Sequence, residues 1–267
     1  KKDMKTSAKI FSILGIVFLF TACGEKPVED TKTDETAVEQ TFDGQTDFEK
    51  RISDTDANLQ LIPANSLIFT HTNGSTEEVT AFLNDKQEIQ KLEESFKDGI
   101  TGNYGSRIFY VENGKRYATK EIYLDNKMKS PMFVERHSFY DKNGKVKYSR
   151  QREAEYEVDL ELAVFKLVDA VDCPVDNVMQ IINQVGPYEL TFQGFTSNGE
   201  MDFVILGENV QEGFTTSLAV QHKEGDIQKL YMNEKAYIGD PLEVEFERMI
   251  DSRDFEFQVL LSLKIKK

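Results

Sequence analysis

Residues 106–124, SRIFYVENGKRYATKEIYL, set the architecture of the chain, because they predict two strands joined by a tight turn. Residues 106–112 and 115–124 are rich in β-branched and aromatic side chains, which are enriched in strands. Asn113-Gly114 between them is the strongest short-range signal for a β-hairpin. The sequence therefore predicts a long antiparallel hairpin near its centre.

More strands are predicted after this hairpin. Residues 132–140 and 145–155 flank a second turn signal, Asn143-Gly144. Residues 254–266 show the cleanest alternation in the chain, with apolar side chains at every second position and only Leu260 out of phase. Such alternation is typical of a strand with one buried and one solvated face, as in antiparallel sheets.

Helices are predicted wherever apolar side chains fall at helical spacing, which occurs over residues 79–96, 160–171, 174–186 and 241–250. Asp240-Pro241 would supply the N-cap and first turn of the last of these helices. Residues 226–237 are instead predicted as a strand. Together these elements predict an α+β fold in which antiparallel β-meanders pack with helices.

The two halves of the folded region have a similar order of elements, since each is predicted as a helix followed by four antiparallel strands. This order is consistent with a duplicated helix-plus-four-strand unit. It is also consistent with coincidence, because glycine turns recur in any meander. The sequence predicts a first α+β lobe over residues 58–157 and a second over residues 158–267.

Residues 24–57 precede the folded region and differ from it in composition. They are rich in Glu, Asp and Thr, contain few apolar side chains and show no hydrophobic period. A segment of this composition buries too little surface to offset the entropy of ordering it. It is therefore predicted to be a disordered acidic tether.

Residues 4–23 have the features of a secretory signal. Two lysines precede an apolar run over residues 10–20, and Thr21-Ala22 separates that run from Cys23. The run is too short to span a membrane. The ending Phe20-Thr21-Ala22-Cys23 resembles the bacterial lipobox, although the family pattern has Leu where this chain has Phe20. Residues 1–23 are thus identified as a lipoprotein signal peptide that ends in the lipidated cysteine.

The resemblance implies that Cys23 becomes the mature N-terminus and carries lipid. It implies a membrane-anchored protein of the cell envelope of a diderm bacterium, with the outer membrane as the expected location. Acidic residues soon after the cysteine resemble surface-export signals of some Bacteroidota lipoproteins; they are Glu25, Glu29 and Asp30. Both the periplasmic face and the cell surface stay open.

The chain carries 47 acidic and 32 basic side chains, a net charge of −15. Residues 1–23 contain one of the acids and four of the lysines, so their removal leaves 46 against 28 and a net charge of −18. Such a chain gains nothing from a phosphate backbone, which argues against nucleic acid as a partner. Anionic lipid headgroups also repel it, so membrane attachment is expected to depend on the lipid at Cys23.

No catalytic, cofactor or metal site is predicted. Cys173 is left unpaired once Cys23 carries lipid, and we expect it to be a small buried side chain. The segment Gly99-x-x-Gly102-x-x-Gly105 does not precede a predicted helix, as a phosphate-binding loop would. The histidines lack a second His or Cys at metal-ligand spacing; they are His71, His137 and His222.

Arg150 and Arg152 are the one pair of cations that suggests a ligand. Both are predicted on one face of a strand, together with Val146 and Tyr148. Two arginines on a mostly apolar face could bind an anion. A strand that passes from the core to its rim also explains them, and we favour this second interpretation.

The sequence favours a non-enzymatic envelope lipoprotein that binds a protein or a small-molecule ligand through its folded module. The anchor signal, the long acidic segment and the lack of a catalytic pattern motivate this hypothesis. One alternative is a carrier of a lipid or other hydrophobic ligand in a sheet-lined cavity, because Phe and Tyr are plentiful on the predicted strands. Another is a hydrolase with paired carboxylates, because acidic side chains abound.

Overall fold

The structure is a computed structural model that describes residues 40–127, 130–250 and 256–266. Within these residues the α-helices are α1 (Gln45–Asp56), α2 (Asp176–Asn183), α3 (Gly225–Met232) and α4 (Glu234–Tyr237), and 3₁₀ helices span Glu157–Leu162 and Gly186–Tyr188. The strands are β1 (Ile62–Asn65), β2 (Phe69–Thr70), β3 (Thr76–Leu83), β4 (Ile89–Lys97), β5 (Tyr104–Glu112), β6 (Lys115–Asp125), β7 (Met132–Tyr140), β8 (Val146–Ala154), β9 (Lys166–Val168), β10 (Thr191–Ser197), β11 (Asp202–Gly207), β12 (Thr215–Val220), β13 (Leu242–Ile250) and β14 (Glu256–Ile265).

Strands β3 to β8 form an antiparallel meander in which each strand pairs with the next along the chain. The first predicted hairpin is confirmed as β5 and β6, whose pairing ends at Glu112 opposite Lys115. Asn113 and Gly114 have φ angles of 51° and 72°. A type I′ turn requires this left-handed pair, which explains why Asn-Gly is so strong a signal.

The second predicted hairpin is confirmed as β7 and β8, but its turn is of another kind. Gly144 is left-handed, with φ of 79°, whereas Asn143 is not. The Asp141 carboxylate accepts hydrogen bonds from the backbone N–H groups of Asn143 and Lys145 at 2.8 and 3.1 Å, which fixes the turn. Because the meander is antiparallel, the turns at 113–114 and 141–145 lie at one end of the sheet, which we call the hairpin end.

All fourteen strands belong to one sheet, in which the order is β10-β11-β12-β2-β3-β4-β5-β6-β7-β8-β9. β1 pairs with β3, and the β13–β14 hairpin branches from β12. The pairing of β12 with β14 is parallel, so the sheet is mixed. The fold is thus β-rich: one large mixed sheet with short helices against it. The predicted antiparallel meanders are confirmed as the main part of that sheet.

The helix predicted over residues 79–96 is wrong, because this stretch forms the hairpin of β3 and β4. Val79 and Ala81 alternate into the core from β3, and Leu92 does so from β4. The turn between the strands shifts the phase of this alternation, and the combined pattern imitates helical spacing. Without this helix, the first half does not have the helix that the proposed repeat needs.

Three further predictions are wrong in the type of secondary structure. Residues 241–250 form β13 rather than a helix, because they pair along nearly the whole length of β14. Residues 226–237 form α3 and α4 rather than a strand, with Ile227 and Leu230 one helical turn apart and buried. Residues 160–171 give part of a 3₁₀ helix and β9. The helix predicted over 174–186 is confirmed as α2.

The predicted tether is wrong for residues 45–56, which form α1. Phe42, Phe48 and Ile52 pack on a cluster of buried residues in the meander that includes Tyr110 and Phe139. The rings of Phe42 and Phe48 lie 4.9 and 5.2 Å from that of Phe139. Three apolar side chains order this segment because the sheet offers them an apolar surface, which the composition of the segment alone does not reveal. Residues 24–39 lie outside the described residues.

The larger core crosses the predicted boundary between residues 157 and 158. It unites Leu92 and Phe109 of the meander with Val178 of α2, Leu206 of β11 and Leu218 of β12. The described residues all belong to one compact unit. Sheet and core are therefore continuous where the sequence predicted a division into two lobes.

A buried glutamine joins the last strand to the bend between β1 and β2. The side chain of Gln258, on β14, accepts a hydrogen bond from the backbone N–H of Ile68 at 3.0 Å. It also donates one to the carbonyl of Ser66 at 3.0 Å. Gln258 therefore supplies to this bend the hydrogen bonds that a neighbouring strand would otherwise provide.

Candidate functional site

A cleft of about 700 Å³ lies at the hairpin end of the sheet. It is lined by aromatic, basic and other polar residues: Phe48, Arg51, Glu112, Asn113, Lys115, Arg116, Tyr117, Tyr140, Asp141, Lys142, Asn143 and Lys147. The two hairpin turns supply most of this lining, and α1 supplies the rest. The cleft thus depends on the docking of α1 as much as on the meander.

Two arginines form the inner wall, each stacked on a tyrosine ring. The guanidinium of Arg51 lies 3.8 Å from the ring centre of Tyr117, and that of Arg116 lies 3.9 Å from the ring centre of Tyr140. Arg51 pairs with Glu112 at 2.8 Å. These contacts hold both guanidinium groups in place.

Arg116 is further engaged by the segment that precedes α2. It pairs with Asp172 at 2.8 Å and donates a hydrogen bond to the carbonyl oxygen of Cys173. Its Nε is buried and has no hydrogen-bond partner among the described residues. Each arginine of the inner wall therefore has one carboxylate partner that offsets its charge.

Three lysines form the rim, and they differ from the arginines in having no carboxylate partner. Lys115, Lys142 and Lys147 are exposed, and none of them pairs with an acid in the described part of the chain. Lys115 donates only to the carbonyl of Lys142, at 3.3 Å, and Lys147 lies 5.1 Å from the ring centre of Tyr148. The rim thus carries positive charge that the protein does not neutralise.

Asp141 does not neutralise the rim either. Backbone N–H groups of Lys145 and Asn143 bind its carboxylate and hold its pKa below the usual range. The carboxylate is directed into its own turn. The lining as a whole has five cationic side chains against Glu112 and Asp141, an excess of three in a chain whose net charge is −15.

A second charged cluster lies beneath α1, around Glu135. This buried carboxylate accepts hydrogen bonds from His137 and Arg152 at 2.8 and 2.7 Å and pairs with Lys120 at 3.3 Å. Burial opposes its ionisation, but the bonds from His137 and Arg152 outweigh burial and lower the pKa of Glu135 to about 2. Burial lowers the pKa of His137, which is therefore neutral at pH 7.

The predicted arginine pair belongs to this cluster. Arg150 and Arg152 do share one face of β8: Arg150 pairs with Glu49 of α1 at 2.9 Å, and Arg152 binds Glu135. Both guanidinium groups also lie over the ring of Phe165, at 4.2 and 4.5 Å. These arginines hold α1 and the segment before β9 on the sheet, a packing role that neither interpretation of the sequence specified.

The opposite face of the meander carries a row of alternating charges. Arg107 of β5 binds Glu94 of β4 at 2.9 Å and Glu121 of β6 at 3.2 Å. Arg136 of β7 lies 3.7 Å from Glu121. Burial raises the pKa of Glu94 although Arg107 opposes this. The two carboxylates share one guanidinium, so the row resembles a cross-strand ion-pair network more than a pair of catalytic acids.

The other residues singled out in the sequence do not form a site. Burial raises the pKa of the Cys173 thiol, which disfavours a reactive thiolate. The described residues contain no group of three His, Cys, Asp or Glu side chains placed to hold a metal ion. The Gly99–Gly105 segment connects β4 to β5, so no helix follows it. Cys23, the predicted lipidation site, lies outside the described residues.

Comparisons of the chain with protein-family models, with curated proteins and with solved structures give no match. Among the described helices, none combines the length and the apolar character that crossing a membrane would require.

Sequence reasoning missed the cleft, although its residues surround the two turn signals that were recognised. Lys115 and Arg116 follow the first turn, and Lys142 and Lys147 flank the second. The cleft depends on the topology of the sheet, which no local pattern in the sequence shows. In an antiparallel meander these turns come to the same end, so basic residues that are separate in the sequence meet in space.

Proposed function

We propose that this protein is a lipid-anchored protein of the cell envelope that binds an anionic ligand, without catalysis, in the cleft at the hairpin end. One observation carries the proposal. Lys115, Lys142 and Lys147 stand at the rim of one cleft with no carboxylate partner in the described part of a strongly acidic chain.

The rim lysines carry positive charge that no acid in the described part of the chain pairs with. Most of the chain repels anions, and the inner arginines are already paired. Three ammonium groups around one concave space attract an anion there. The volume of the cleft lies in the range of small-ligand sites.

The binding part of the proposal is tested with a soluble probe, tripolyphosphate, by titration calorimetry. The triple variant Lys115→Gln, Lys142→Gln, Lys147→Gln should bind it at least about tenfold more weakly, because it removes the charge of the rim. The matched control is Lys97→Gln, Lys127→Gln, Lys235→Gln. These lysines are also exposed and outside any described ion pair, and the net charge changes equally. Equal loss in both variants would refute a localised site.

The anchoring part is tested separately. Cys23→Ala should move the protein out of the membrane fraction of lysed cells, because the residue that carries the acyl chains is lost. An unchanged share in the membrane fraction would show that another feature holds the protein there. This result would leave the binding experiment unaffected.

The two alternatives receive less support. A carrier of hydrophobic ligands would need a cavity lined by apolar residues, whereas nine of the twelve residues that line this cleft are charged or carry an amide. A hydrolase would need two acids with separate roles, whereas Glu94 and Glu121 are both bound to Arg107. No described feature favours either alternative over anion binding.

A further inference from the structure

The rim of the cleft is suited to several anionic groups rather than to one planar ligand. Lysine carries a compact charge on a flexible stem and imposes no fixed geometry on the anion that it meets. The guanidinium groups of Arg51 and Arg116, which could bind an anion in two parallel hydrogen bonds, are each stacked on a ring and paired with an acid. The unneutralised charge is therefore carried by lysine ammonium groups, which are less selective for the shape of an anion than guanidinium groups are.

The rim lysines also lie in or next to the hairpin turns. Lys115 follows the first turn directly, and Lys142 lies in the second, with Lys147 just beyond it. All three are exposed and belong to one end of the meander. Charges in this position can meet an extended anionic surface together, without any movement of the fold.

The connection to the anchor places the same end within reach of a membrane. Phe48 and Arg51 of α1 line the cleft, and α1 is the first described element after Cys23. Only the 16 residues 24–39 lie between Cys23 and Gln40, the first described residue. They span at most about 60 Å even when fully extended. A protein held by lipid at Cys23 thus keeps its cleft at a high local concentration near the headgroups.

We propose that the anion bound by the hairpin end is the phosphate of lipid headgroups in the membrane that holds Cys23. This inference rests on the proposed function, and it adds an orientation to it: the hairpin end faces the membrane and the acidic remainder faces away. Anionic headgroups repel the remainder and attract the three lysines, so both parts of the charge distribution favour the same orientation.

The experiment uses the full chain with Cys23→Ala, so that no acyl chain contributes to binding. Its binding is measured by co-sedimentation with vesicles of phosphatidylglycerol and phosphatidylcholine in equal parts, and with vesicles of phosphatidylcholine alone. The triple variant at positions 115, 142 and 147 is made in the same background, as is the control at 97, 127 and 235. Any binding through residues 4–22 is common to all three proteins, so differences between them report on the lysines.

The expected result is binding to the anionic vesicles that falls at least about tenfold in the rim variant, is kept in the control and weakens with added salt. Three outcomes would overturn the inference. If the rim variant binds the anionic vesicles as well as the parent does, the hairpin end does not dock on headgroups. If the parent binds tripolyphosphate through the rim but does not bind the vesicles, the ligand is a soluble anion; the proposed function is then supported and the membrane orientation is wrong. If the parent binds neither tripolyphosphate nor the anionic vesicles, both proposals are wrong.

Discussion

Glu135 shows how a charged residue stabilises the interior of this sheet. Its carboxylate contacts the side chains of three residues on three strands: Lys120 of β6, His137 of β7 and Arg152 of β8. Because Glu135 is 2 % exposed, these partners replace the water that an exposed carboxylate would have. Removing it would leave the half-buried guanidinium of Arg152 without its acid, which is costly where little water can replace the carboxylate.

The depressed pKa of Glu135 predicts how stability depends on pH. The pKa is about 2 in the folded protein, below its ordinary value of 4.5. The ionised form therefore contributes stability that is fully present above pH 4.5 and is lost as the pH falls towards 2. This contribution is roughly 3 kcal/mol.

Urea denaturation across this pH range checks the prediction. Glu135→Gln should lower the free energy of unfolding by roughly 3 kcal/mol at pH 7. The gap between the variant and the parent should narrow in acid. Glu153→Gln, at an exposed position of neighbouring β8, serves as the control and should cost little. A gap that stays constant from neutral to acid pH would mean that Glu135 is not ionised against its partners.

At the scale of elements, the two Asn-Gly turns look alike in sequence and differ in geometry. Asn113 is left-handed with φ of 51°, whereas Asn143 is not. A residue with an ordinary side chain costs about 1 kcal/mol in the left-handed region, where asparagine is tolerated. Asn113→Ala should therefore destabilise the protein by about 1 kcal/mol, and Asn143→Ala by clearly less. Equal losses in thermal or urea denaturation would contradict the turn types described here.

The recognisable elements were those whose signal is local. The Asn-Gly hairpins, α2 and strand β14 needed only turn chemistry or a period to be predicted. Within β14 the predicted alternation is interrupted at a register shift, where Leu260 is buried and Leu261 is exposed. The errors came from partners that are distant in the sequence. β13 starts with a good helix cap, Asp240-Pro241, yet it pairs with β14 along nearly its whole length, and tertiary pairing outweighs local preference.

The candidate site was unpredictable for the same reason as α1. The acidic composition of this segment indicates no core of its own, but Phe42, Phe48 and Ile52 are enough to order it when they dock on the meander. The cleft needs that docking for its α1 wall, and it needs the topology to bring its two turns together. Neither requirement leaves a period or a motif in the sequence.

At the scale of the whole molecule, the continuous sheet predicts a single unfolding transition. Leu92 and Phe109 share a core with Leu206 and Leu218, so neither half can open without exposing apolar surface of the other. Differential scanning calorimetry should give one peak, with equal calorimetric and van't Hoff enthalpies. Two separate peaks would instead favour independent lobes over residues 58–157 and 158–267.

The buried side chain of Gln258 has a consequence for biosynthesis. Ser66 and Ile68 are synthesised long before residue 258. The hydrogen bonds that Gln258 makes with the carbonyl of Ser66 and the N–H of Ile68 therefore form late. During translation this bend has no such partner, and the edge of the growing sheet stays incomplete. The last steps of folding must therefore wait until residue 258 has emerged from the ribosome, so the nascent chain has to be kept from aggregating until then.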